Sequence, residues 1–104
     1  MIQPANPLRG EASIELGGKC FVLRPSFEAL IAAEEELGSL FAIIDRAAQG
    51  SLKISEIAGI VWHCLPPQDR PQRAAIGEAV LNLGMVEAAK PLRAIFTQVL
   101  KGRQ

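Results

Sequence analysis

Apolar and polar side chains alternate over residues 11–16, where Ala12, Ile14 and Leu16 interleave with Glu11, Ser13 and Glu15. Gly17-Gly18 follows, and a second run extends from Lys19 to Arg24. A period of two marks a half-buried strand, and two glycines between such runs favour a two-residue turn that needs positive φ. A turn at Gly17-Gly18 sets Leu16 opposite Lys19, Ile14 opposite Phe21 and Ala12 opposite Leu23. Directly opposed residues share a face. One face then carries Ala12, Ile14, Leu16, Phe21 and Leu23, and the other Ser13, Glu15, Cys20, Val22 and Arg24. A lone hairpin is marginal in water, so the apolar face needs a cover. A slip by one residue would mix the faces.

After Pro25 the period changes to that of a helix. Ser26 is placed to cap a helix over 27–37, with Glu28 near its positive end and Gly38 as its stop. Phe27, Leu30, Ile31 and Leu37 form its stripe. Ser39 is expected to cap a second helix over 40–49, with Leu40, Ile43, Ile44 and Ala47 inward and Gly50 beyond. A third helix, 54–65, is apolar on most of its circumference, which predicts a central position. Pro66-Pro67 ends it. Asp69 and Gln72 fit a capping box for a fourth helix that reaches Leu83, with Ile76, Val80, Leu81 and Leu83 apolar. The last segment, 85–101, repeats at Val86, Ala89, Leu92, Phe96, Val99 and Leu100. Pro91 lies inside it, and either kinks that helix or marks its start.

The predicted fold class is therefore α+β and predominantly helical: an N-terminal β-hairpin followed by about five short helices. Residues 1–8, with Pro4 and Pro7, read as an extended arm, and 9–104 as a single domain. A chain of 104 residues with 49% hydrophobic and 21% charged side chains can build one core unaided. With four Phe, one Trp and no Tyr, that core rests on aliphatic packing.

Charge and cysteine usage narrow the function classes. Eleven basic and eleven acidic side chains give a formal net charge of zero. A dedicated nucleic-acid binder needs a basic excess, so no nucleic-acid partner is expected. Weak net repulsion favours self-association or a standing partner. Met1-Ile2-Gln3-Pro4 lacks the features of a secretory signal, and the apolar run 57–65 is too short to span a bilayer. The expectation is a cytoplasmic protein with reduced thiols and no membrane partner. Cys20 and Cys64 form no CxxC pair, so no metal site is expected.

Each candidate for chemistry has a plainer structural role. His63 and Cys64 suggest a thiol hydrolase, but neighbours on a helix point about 100° apart and cannot readily bond each other. Glu34, Glu35 and Glu36 spread over more than half of a helix circumference and cannot converge on a metal. They read as a solvated helix end, with a charged docking surface as the other reading. Gly59 and Gly77 fall inside predicted helices, where close helix–helix approach would explain them. Arg70, Arg73, Lys90, Arg93, Lys101 and Arg103 could touch phosphates, but the third helix is too apolar to be a recognition helix. No catalytic residue, metal or cofactor is expected, and no enzyme activity.

The order of motifs points elsewhere. Asn6-Pro7-Leu8-Arg9-Gly10-Glu11, the glycine turn within 16–23, and Leu23-Arg24-Pro25-Ser26-Phe27-Glu28-Ala29-Leu30 come first. Glu35-Glu36-Leu37-Gly38-Ser39-Leu40 follows, then Leu83-Gly84-Met85, Pro91-Leu92 and Val99-Leu100-Lys101-Gly102. Together these resemble the small tail proteins of gene transfer agents, the phage-like particles of alphaproteobacteria, and of related long-tailed phages and prophages. Gly17 departs from the Asp-Gly turn expected there, and Trp62-His63-Cys64 from a plainly apolar stretch. The resemblance implies a tail assembly chaperone whose partner during tail building is the tape-measure protein or the tail-tube protein of a phage-like particle. Its alternative is a structural subunit of a phage-like tail tube, with residence in the particle and homo-oligomerisation. Either role needs an apolar docking surface. The expected contact residues lie on the hairpin and last helix: Ile14, Leu16, Phe21, Leu23, Leu92, Phe96, Val99 and Leu100.

Overall fold

A computed structural model describes residues 11–102; the arm expected over 1–8 lies outside them, as does Arg103. Strands β1 (Ala12–Leu16) and β2 (Lys19–Leu23) pair antiparallel, with Ala12 opposite Leu23, Ile14 opposite Phe21 and Leu16 opposite Lys19. Gly17 and Gly18 take φ of 60° and 78°, the left-handed conformation that a tight hairpin turn requires. Ala12, Ile14, Leu16 and Leu23 are buried, while Phe21 is half-buried at the rim.

Five helices follow the hairpin: α1 (Phe27–Leu37), α2 (Leu40–Ala48), α3 (Ile54–Cys64), α4 (Arg73–Leu83) and α5 (Met85–Lys101). Helix α3 is the hub. It packs on α1, α4 and α5, and Ile57, Ile60 and Val61 are sealed from solvent. Strand β1 lies on α4 and α5, so the apolar hairpin face closes the core from the other side. The Arg24 N–H donates to the Cys64 carbonyl at 2.8 Å, which ties the exit of the hairpin to the end of α3.

Several expected details differ. In α1, Phe27 is 75% exposed and Ile31 38%; the buried position is Ala33. Only one edge of α1 meets α3, so a small residue suits the contact. Ser26 caps α1 as expected, accepting from the Ala29 N–H at 3.1 Å. Ser39 precedes α2 but makes no side-chain cap. Glu34 does that work: its Oε2 accepts from the Leu40 N–H at 2.9 Å across the Gly38 turn. Asp69 is not the cap residue of α4, as the expected capping box would require. Residues Pro67–Asp69 make a 3-10 turn, and α4 starts at Arg73 with Gln72 in the cap position. Pro71 explains this, because the residue before a proline is pushed out of the helical region, and Arg70 is extended at ψ 117°.

Leu81 and Val86, expected inside, are 57% and 72% exposed. Ala88 and Ile95 take the inner face of α5 instead, both fully buried. Pro91 does not mark the start of α5, which runs through it. The missing proline N–H leaves that helix one hydrogen bond short. Of the two interior glycines, Gly59 sits where an added Cβ would lie 2.9 Å from Leu37 Cδ1, so it does permit close approach of α1 and α3. Gly77 has nothing within 4 Å of that position, and close approach does not explain it.

Candidate functional site

Two regions bring together polar or apolar residues outside the common core. The first lies where α1, α3 and α4 meet. Trp62 donates from Nε1 to the Pro71 carbonyl at 2.9 Å, which fixes the ring. Two guanidinium groups rest on that ring, with Cζ of Arg70 4.2 Å and of Arg73 4.6 Å from its centroid. Arg70 also donates to the His63 and Leu65 carbonyls, satisfying acceptors that the end of α3 leaves open. Arg73 grips Glu36 with two hydrogen bonds of 2.7 Å. His63 Nε2 lies 2.8 Å from Glu36 Oε1.

The hydrogen bonds from Arg73 and then His63 draw the Glu36 carboxyl down from its ordinary 4.5 to about 2. An ionised carboxylate only accepts, so His63 Nε2 carries the proton of their shared bond. The Arg73 Nη2 contact to that same nitrogen, at 3.4 Å, then pairs two donors and adds no hydrogen bond. Cys64, beside His63, is 2% exposed. Burial pushes its thiol up to about 12, a shift that Arg70 only partly offsets. A nucleophile needs the opposite shift and an open approach. The cluster therefore works as a clamp: Glu36 from α1, Trp62 and His63 from α3, and Arg73 from α4. Among the described residues no group of three or more His, Cys, Asp or Glu could hold a metal.

The second region is a groove between α2 and α5. Its walls include Ile44 and Ala47 from α2 and Arg93, Phe96 and Leu100 from α5, and the open space measures about 580 Å³. It continues past Met85, Val86 and Ala89 at the start of α5. Val86, Ala89, Arg93 and Leu100 recur at helical spacing, so one edge of α5 forms the floor over about 21 Å. Helix α2 is the less embedded wall. Only Ile43 is buried on it, and Arg46 tethers it to Glu56 of α3 by an ion pair. Burial of Glu56 raises its pKa, but the hydrogen bonds from Arg46 and from the Lys53 N–H outweigh this and leave it lowered.

The eight contact residues expected from the sequence divide between core and surface. Ile14, Leu16, Leu23, Leu92 and Phe96 are buried in the common core, leaving little of any of them for a partner. Phe21 and Val99 are half-buried, and Leu100 is 55% exposed. The exposed apolar residues that periodicity placed inside, Phe27, Ile31, Leu81 and Val86, were readable only as stripe members. Phe41, 77% exposed in the first turn of α2, lies off its helix's stripe of Leu40, Ile43, Ile44 and Ala47. That offset was the one signal in the sequence. No helix among the described residues is long and apolar enough to cross a membrane.

Neither the curated proteins nor the solved structures contain a match to this chain. A family model described as "Phage tail tube protein, GTA-gp10" matches residues 9–102. That match takes in the hairpin and every helix of the fold, and on it the chain belongs to this family of phage tail tube proteins of the gene-transfer-agent type.

Proposed function

We propose that this chain is a structural subunit of a phage-like tail tube, acting through protein contacts and not through catalysis. The family match over 9–102 carries the reading. Exposed apolar side chains on α1, α2 and α5 supply the adhesive surface that a self-assembling subunit needs. The burial of Cys64 and the engagement of His63 with Glu36 favour a non-enzymatic role over a thiol hydrolase. The test is the protein composition of purified particles together with light scattering on the isolated chain. Stoichiometric presence in particles and rings or stacks in solution are expected; absence from particles overturns the reading.

One observation favours a second reading. The α2–α5 groove is long enough for about four turns of helix and has an apolar floor, the form that takes an amphipathic helix. A tail assembly chaperone holding a tape-measure segment would use such a groove. Co-purification with a co-expressed tape-measure fragment, combined with absence from finished particles, is the outcome that selects it.

A further inference from the structure

The groove has an apolar floor interrupted by one cation. The Arg93 guanidinium makes no hydrogen bond or ion pair among the described residues, and it lines the same space as Ile44, Ala47, Val86 and Leu100. A fitting occupant is therefore a helix with an apolar stripe and a carboxylate one or two turns along it. The chain presents such a helix. Phe27 and Ile31 stand out from α1 at a spacing of four, 75% and 38% exposed. Glu35 follows four residues later and is exposed. Its neighbours are committed, Glu34 to the Leu40 N–H and Glu36 to Arg73, whereas Glu35 has no partner among the described residues. At 11 residues, α1 is about 16 Å long and fits within the 21 Å floor.

We propose that α1 of one copy docks in the α2–α5 groove of the next, with Phe27 and Ile31 on the apolar floor and Glu35 paired with Arg93. No residue of α1 lines the groove of its own chain, so the two surfaces are separate. Contact between different surfaces of identical chains is head-to-tail, and it closes into a ring or continues as a filament. The inference rests on the tube-subunit reading and gives it a specific contact.

Sedimentation of the full chain tests it. Wild type is expected to associate, and Phe27→Glu and Val86→Glu are each expected to weaken association by about tenfold or more. Both sites are exposed, so the variants are expected to fold, and far-UV circular dichroism checks this. Each variant keeps one intact surface, so an equimolar mixture of the two is expected to give a capped heterodimer and nothing larger. Arg93→Glu should weaken association, and Arg93→Glu combined with Glu35→Arg should restore it. An oligomer that survives all of these variants overturns this interface and leaves the tube reading standing. A wild-type chain that remains monomeric at every concentration overturns both, and a mixture that forms no heterodimer while wild type associates overturns this interface.

Discussion

Arg73 holds Glu36 in a fork, Nη1 on Oε2 and Nη2 on Oε1, both at 2.7 Å. The pair joins α1 to α4, two helices otherwise connected through α3. The guanidinium also lies on the Trp62 ring, so one planar group serves both contacts. Lysine can supply neither the fork nor the stack. Arg73→Lys is expected to cost about 1 kcal/mol, a modest figure because the pair is partly solvated. Urea unfolding measures it.

The same carboxylate sets an acid response. Glu36 is held at about 2, below its ordinary 4.5, so between these values the unfolded chain binds more protons than the folded one. Stability from this group is then fully present above about pH 4.5 and is lost as pH falls toward 2. Glu36→Gln should flatten that limb of the stability–pH curve. Thermal unfolding across pH 2–6 provides the comparison.

Glu34, not Ser39, caps α2. Glu34→Ala should destabilise the chain by about 1 kcal/mol, in the range of lost helix caps. Ser39→Ala should cost much less, since its hydroxyl makes no cap hydrogen bond. Equal losses in paired denaturation curves would refute the assignment.

Gly77 and Gly59 should respond in opposite ways to alanine. A Cβ at Gly77 meets nothing within 4 Å, so Gly77→Ala gains helix propensity, about 0.5–1 kcal/mol of added stability. At Gly59 the new methyl would sit 2.9 Å from the tip of Leu37. Leu37 must move, and the clash offsets the same gain. The difference in midpoint between the two variants is the observable.

The two thiols differ in access. Cys20 is exposed on β2 and Cys64 is buried with its thiol pushed up to about 12. Alkylation of the native protein at neutral pH should label Cys20 alone, and denaturation should release the second site. Mass spectrometry of the labelled peptides distinguishes them, and rapid native labelling of Cys64 would contradict the packing of α3.

The hairpin register and most helix boundaries were legible because they rest on local rules. Alternation with a Gly-Gly turn admits one register that keeps Ile14 and Phe21 on the same face. Ser26, Gly38 and the prolines at 66 and 67 mark ends by their own backbone chemistry. The centrality of α3 was readable too, since a helix apolar on most sides has no solvent face to offer.

The proposed docking surface was not legible, and the reason is physical. Periodicity identifies which side chains share a stripe, but not whether a neighbouring helix arrives to cover it. Phe27 and Phe96 both sit on apolar stripes; α1 meets α3 by the Ala33 edge and leaves Phe27 in solvent, while α5 turns Phe96 inward against the hub. The clamp was equally hidden. Glu36, His63 and Arg73 are 27 and 10 residues apart along the chain, and only the packing of three helices around Trp62 brings them together. Sequence by itself determined the elements and their ends, because those depend on backbone preferences within a few residues. Tertiary structure decided which apolar residues became core and which became surface, because that depends on the angles at which whole helices meet.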